Sequence, residues 1–291
     1  MSEAGSSVPR RQLGKLLRSA REKAGVTVEQ SAKHLEVGRH KVYRMEKGEG
    51  PVRLIEARML CELYAVDGDL TEVMIGLASE TKSKGWWQPY GAVVPDWFDL
   101  YLGLESSASR LRHYAPALIP GLLQTEEYAE AMFRLKRSAS DDEVHQNVEL
   151  RMQRQQQLLR RRAPKPPRLE VLLDEAVLHR PIADRDAWQR QLAHLVNVQQ
   201  RRDIELRVLP STRGPHAASI AGEFVVLDFP HSDRTEPEPT TVYIENLAGA
   251  LYLDQESEVN MYARTWNEIG EQALDQGASD DLIGNIIREQ S

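Results

Sequence analysis

The 291-residue sequence holds a single cysteine, Cys61. It therefore forms no intrachain disulfide and no cysteine-held metal cluster, which suits a reducing compartment. No run of about 18 apolar residues occurs, so no membrane-spanning helix is expected. The opening MSEAGSSVPRR has no apolar signal core, and the expected location is the cytoplasm. Gly-rich phosphate loops, GxSxG and Cys/His nucleophile patterns are also missing. The eight histidines (His34, His40, His113, His145, His179, His194, His216 and His231) show no HxxxH or HxH spacing for a metal. No cofactor and no metal are expected.

The composition is 41% hydrophobic and 28% charged, enough to bury a core and stay soluble. The length suits roughly two domains. Net charge is −7 but unevenly placed. Of 37 Lys+Arg and 44 Asp+Glu, residues 1–66 hold 13 and 8, a head of +5; the other 24 and 36 leave a body of −12. A basic head on an acidic body fits a polyanion binder with a separate partner domain.

Residues 10–66 read as four or five short helices. Leu13, Leu16, Leu17 and Ala20 form an i, i+3, i+4, i+7 stripe on a first helix, about 10–24, which Gly25 ends. Thr27 is a natural N-cap for a second helix at 28–35. Glu36, Val37 and Gly38 make a turn. A third helix, about 39–46, buries Val42 and Met45 and exposes Arg39, His40, Lys41, Tyr43, Arg44 and Lys47. Gly48 stops it. Glu56, Ala57, Leu60, Leu63 and Tyr64 pattern a fourth helix, and helical spacing continues to residue 77. Two helices joined this tightly form the DNA-reading helix-turn-helix. The competing explanation of a basic amphipathic helix is a solvated face.

These residues resemble the lambda-repressor-like (XRE) helix-turn-helix family, over about 55 residues that include Arg21, Gly25, Thr27, Ala32, Val42, Glu46 and Gly48. The resemblance implies base reading by Arg39, His40, Lys41 and Arg44, with Lys41 shared between base and phosphate. It implies phosphate contacts from Tyr43, Lys47 and the backbone at Thr27. Arg21 and Glu46 stand where the family places a structural ion pair. Two positions depart from the pattern. Val28 replaces a Gln that touches phosphate, and Ser31 replaces an apolar residue, which should slightly loosen packing.

The expected layout is a disordered N-terminus at 1–9, the helix-turn-helix domain at 10–78, a linker at 79–85 and a second domain at 86–291. Trp86-Trp87 reads as a packing anchor for that domain. Residues 86–140 read as helical, with helices starting at Pro95-Asp96-Trp97 and at Thr125. A long helix follows at 146–162; its Arg160-Arg161-Arg162 run is a solvated end or a further nucleic-acid contact. Four β-rich runs lie at 168–173, 204–209, 223–229 and 241–244. Helices are expected at 185–200 and 256–276, and an exposed loop at 230–240. The fold class is thus mainly α with a smaller α+β part: a five-helix head and a C-terminal α+β domain with a small sheet.

The segments ALIPGLLQTEEYAEAMF (117–133), LDEAVLHRP (173–181), IELRVLP (204–210), GEFVVLDFP (222–230) and TVYIENLAGALYLD (241–254) resemble, in order, the C-terminal domain of actinobacterial WhiJ-like, antitoxin-like regulators. That implies a transcriptional regulator whose partner is a small protein encoded by an adjacent gene. It leaves open an antitoxin-like module whose main task is to bind that partner. Asp174, Glu175 and His179 lie close enough for an acid–base site, but Asp174-Glu175 sits between a strand and a helix, where capping explains it. The chain is expected not to be an enzyme.

Overall fold

The computed structural model describes residues 7–48, 50, 52–80, 86–91, 93–136, 139–159, 165–230 and 238–290. The chain divides into two compact units. The first comprises Met1–Gly91, Phe98–Ser107 and Pro230–Glu238; the second comprises Ala92–Trp97, Ala108–Phe229 and Pro239–Ser291.

Five helices build the first unit's head: α1 (Ser7–Lys23), α2 (Val28–His34), α3 (Arg39–Glu46), α4 (Leu54–Leu63) and α5 (Gly68–Glu80). Their apolar stripes meet in one core of Leu13, Leu17, Met45, Leu60, Cys61 and Met74. A satellite of Val28, Ala32 and Val42 locks α2 to α3. Of the linker expected at 79–85, residues 79 and 80 continue α5, and 81–85 lie outside the described residues. Beyond it, Trp87 is buried, and its indole Nε1 donates to Asp99 Oδ1 at 2.6 Å on α6 (Asp96–Ser107).

The turn between α2 and α3 contains a departure from simple backbone rules. Glu36 has φ +55°, in the left-handed region that a Cβ disfavours. The turn closes through Val37 N donating to Ala32 O at 2.9 Å. Glu36→Gly is therefore expected to stabilise the protein by about 0.5–1 kcal/mol, the relieved strain less glycine's extra unfolded entropy. Urea unfolding of both proteins checks this; a less stable variant counts against strain at this position.

The second unit carries a six-stranded mixed sheet in the order β3-β2-β1-β4-β5-β6. The strands are β1 (Arg110–Ala115), β2 (Arg168–Asp174), β3 (Ile204–Leu209), β4 (Phe224–Asp228), β5 (Thr241–Asn246) and β6 (Gly249–Leu253). β1, β2 and β3 run parallel, and β4, β5 and β6 alternate antiparallel. The helices are α7 (Glu126–Arg134), α8 (Asp141–Leu159), α9 (Glu175–Leu178), α10 (Arg185–Val198), α11 (Ala217–Ala221), α12 (Glu256–Gln272) and α13 (Gln276–Gln290). The long crossovers that parallel strands need are supplied by α7–α8 and α9–α10. Tyr114, Phe224, Val226, Val242, Trp266 and Ile269 form a core between sheet and helix.

The fold class reads as expected: a helical head and an α+β part. Several finer expectations need correction. Residues 86–140 are not wholly helical, because β1 runs through them near the middle of the sheet. Its Arg and His side chains hid it: Arg112 pairs with Asp228 at 3.0 Å, Arg110 with Glu170 at 2.6 Å and His113 with Glu223 at 2.8 Å. Tertiary pairing overrides local propensity there. A further strand, β6, follows a turn at Leu247-Ala248 that lacks the usual Asn-Gly signal.

The helix expected at 256–276 is α12, which ends at Gln272, and a further helix that was not expected, α13, follows from Gln276. Arg207 ends the first by donating to the carbonyls of Gly270, Ala273 and Leu274 at 2.7–3.0 Å. In the loop expected to be exposed, residues 231–237 lie outside the described residues. Glu238 is buried instead, with its carboxylate 3.2 Å from Arg11 Nε. The Arg160-Arg161-Arg162 run also lies outside the described residues.

Candidate nucleic-acid interface

α3 is the element that the sequence marks as the reading helix, and its position is fixed from beneath. Gly14 on α1 lets the two helices cross in contact: a Cβ there would fall 2.6 Å from Met45 O and 2.8 Å from Glu46 O. Gly48 (φ +70°) ends α3, and a Cβ there would meet Arg11 Cα at 2.7 Å. Arg21 on α1 grips Glu46 with two hydrogen bonds, Nε to Oε1 at 2.5 Å and Nη2 to Oε2 at 3.0 Å. Its Nη1 also donates to Val26 O at 3.1 Å. The hydrogen bond to Glu46 raises the Arg21 pKa above its ordinary value, against the opposing effect of burial.

α2 begins with a reciprocal cap. Thr27 Oγ1 accepts from Gln30 N at 3.2 Å, and Gln30 Oε1 accepts from Thr27 N at 2.7 Å. Ser31, expected to loosen the packing, is fully buried and tied in. Its Oγ accepts from Tyr64 Oη at 2.9 Å and donates to Thr27 O at 3.1 Å. Burial raises the Tyr64 phenol above its usual pKa, so it remains a donor across the physiological range. The polar residue substitutes a hydrogen bond between α2 and the end of α4 for an apolar contact.

On this scaffold Arg39, His40, Tyr43, Arg44 and Lys47 are exposed, while Val42, Met45 and Glu46 are buried. At about 100° per residue the five exposed side chains share one face of α3. Lys41 falls on its flank instead. Its Nζ lies 2.6 Å from Glu56 Oε1, a carboxylate whose side chain is only 2% exposed. Lys41 is thus held against the start of α4. Arg39 Nη1 reaches Glu29 Oε1 at 3.2 Å, an exposed pair that links α2 to α3 and is easily exchanged. The Thr27 amide, expected at a phosphate, is occupied by Gln30 in this structure.

Sequence reasoning missed Glu56 and Arg53. Besides Lys41, Glu56 accepts from Arg53 N at 2.9 Å and from Arg53 Nε at 2.8 Å. The signal was a carboxylate inside an otherwise apolar helical stripe. Burial pushes the Glu56 carboxyl up, but the hydrogen bonds from Arg53 and Lys41 outweigh it and hold the group below its ordinary range. A depressed carboxylate stabilises the fold above its unfolded pKa, and that gain is lost as pH falls through the folded value. Glu56→Gln should therefore melt lower than the parent at neutral pH, with the gap closing below about pH 4. Melts across that range check it; a constant gap would sink the assignment.

In the second unit, the carboxylates weighed as an acid–base pair are engaged locally. Asp174 Oδ1 accepts from Ala176 N at 2.8 Å and caps α9. Glu175 Oε2 accepts from Ser211 N at 2.6 Å, and its Oε1 lies 3.7 Å from His179 Nε2. Among the described residues no group of three or more His, Cys, Asp or Glu is placed to hold a metal ion. Cys61 packs 3.8 Å from Met74 Sδ, and burial pushes its thiol up, away from reactivity. No helix of the described residues is long and apolar enough to cross a membrane.

Comparison with known families agrees with the geometry of the head. A family described as Helix-turn-helix domain matches residues 12–74, which run from within α1 through α2, α3 and α4 into α5. One described as Domain of unknown function (DUF5753) matches residues 98–285. No curated protein and no solved structure matches the chain.

Proposed function

Because the chain belongs to the family of the domain of unknown function DUF5753, behind a helix-turn-helix head, we propose that it is a sequence-specific transcriptional regulator that binds DNA as a homodimer. The carrying observation is the exposed basic face of α3 on a scaffold that holds it rigidly. Arg39, His40 and Arg44 read base edges in the major groove. Tyr43 and Lys47 grip phosphates and set the register. Lys41 acts at the edge of the contact, after release from Glu56. Thr27 contributes its amide when Gln30 swings aside.

One head covers a half-site, and pairing two heads supplies the affinity and the spacing rule. The second unit dimerises and senses; it is not an enzyme and uses no cofactor. Its likeness to WhiJ-like, antitoxin-like domains of actinobacteria supports tuning by a small protein encoded nearby. The protein acts in the cytoplasm, on the nucleoid.

The test is a titration of the full chain against its own promoter DNA and a scrambled duplex across a range of salt. Specific binding should weaken steeply as salt rises, with a slope set by the number of phosphates neutralised. Equal affinity for both duplexes overturns sequence reading, and an absence of salt dependence overturns the phosphate contacts.

A further inference from the structure

The two edges of the six-stranded sheet are treated differently. On the β3 side the outer edge is closed. Leu274 N donates to Val208 O at 2.8 Å, and Val208 N donates to Ser279 Oγ at 2.9 Å, so the α12–α13 region covers it. On the other side the sheet ends at β6, and among the described residues no strand pairs with its outer edge. Leu251 in the middle of β6 is 53% exposed, and Leu247 at the hairpin tip is fully exposed.

Proteins protect such edges with lysine, proline, bulges or inward charges. The β6 sequence Gly249-Ala250-Leu251-Tyr252-Leu253 has none of the charged or proline guards. An uncharged edge strand with an exposed leucine at its centre is built to be covered.

We propose that β6 is the homodimer surface: two copies pair antiparallel about Leu251 and make one continuous twelve-stranded sheet. This rests on the dimeric reading above. Symmetry and charge select a second copy as the occupant. Pairing centred on Leu251 sets that residue against its twin and Ala250 opposite the partner's Tyr252. A directly opposed apolar pair of this kind is the stabilising unit of a sheet. The nearest charge along the strand, Asp254, then lies opposite the partner's Ala248. The two Asp254 side chains sit at opposite ends of the paired strands, about six residues or 20 Å apart, so no like charges meet. Leu247 of each hairpin tip extends along the start of the other copy's α12.

The experiment is sedimentation of the full chain and of Leu251→Lys and Leu251→Glu, with DNA binding measured separately. Leu251 is exposed, so both variants should fold, and circular dichroism checks that. The wild type should be a dimer at micromolar concentration. Each single variant places two like charges face to face and should weaken the dimer about tenfold or more. Mixing the two variants should restore a heterodimer, which a general loss of folding cannot do.

A monomeric wild type overturns the proposal, including the case in which a different protein occupies the edge. So does a dimer that neither variant weakens, or a mixture that stays monomeric. If the β6 dimer fails while promoter DNA is still discriminated, DNA reading stands and only this surface falls. If the dimer behaves as described but DNA is not discriminated, the regulator reading falls alone.

Discussion

Replacing Arg39 and Arg44 together by alanine is expected to cost about 2–6 kcal/mol of specific DNA binding, the sum of two guanine-gripping contacts. That is between one and four powers of ten in affinity. Stability should change little, because both side chains are exposed and the Arg39–Glu29 pair lies on the surface, screened by water. Binding to scrambled DNA should fall much less, since only charge is lost there. Lys47→Ala gives the contrasting pattern: specific and non-specific binding fall together, and the salt slope shrinks by about one. If the double variant still prefers its promoter by the parental ratio, base reading lies elsewhere on the protein.

The single variants should not be equal. Arg39 begins paired to Glu29, so reaching a base means giving up that contact, whereas Lys41 must leave a buried carboxylate. The exposed pair exchanges cheaply with DNA; the Lys41–Glu56 pair does not, because Glu56 would be left buried with only Arg53. Lys41→Ala is thus a change to the scaffold as much as to the interface.

How much of this was readable in advance depended on how local the cause was. The bounds of α3, the cap at Thr27 and the stop at Gly48 are written in neighbouring residues, and they read correctly. Gln30, three residues on, completes a capping box that the sequence carries but that the expectation of a Thr27 cap did not include. Strand β1 was not legible, because its arginines are neutralised by Glu170 and Asp228, which lie about 60 and 116 residues away in sequence. Glu56 falls on α4 as expected, and its cap to Arg53 is local, but the partner that gives it a role at the interface, Lys41, reaches it only through the fold. Ser31 was read as a packing defect because its partner, Tyr64, is 33 residues away. In each case the missing information was a long-range partner for a polar group.

The largest stability effect in the head should come from breaking one such partnership. Arg21→Ala leaves the Glu46 carboxylate, 6% exposed, charged and without its two guanidinium bonds. Removing one member of a buried pair costs about 3–5 kcal/mol, most of it the penalty for the charge left behind. The bond to Val26 O goes as well, so the α1–α2 connection loosens together with the seat of α3. Arg18→Ala is the internal control: its pair with Glu22 is on the same helix but open to water, and its loss should leave stability nearly unchanged. The double variant Arg21→Met, Glu46→Leu should recover most of the stability, because apolar replacement of both partners removes the stranded charge. Recovery of folding need not restore DNA discrimination, since the two guanidinium bonds also fix the angle at which α3 presents Arg39 and Arg44. Urea unfolding of the four proteins, with promoter binding of each, separates the two contributions. An Arg21→Ala variant as stable as Arg18→Ala would mean that Glu46 finds water or another donor, and that the reading helix is held by Gly14 and the apolar core alone.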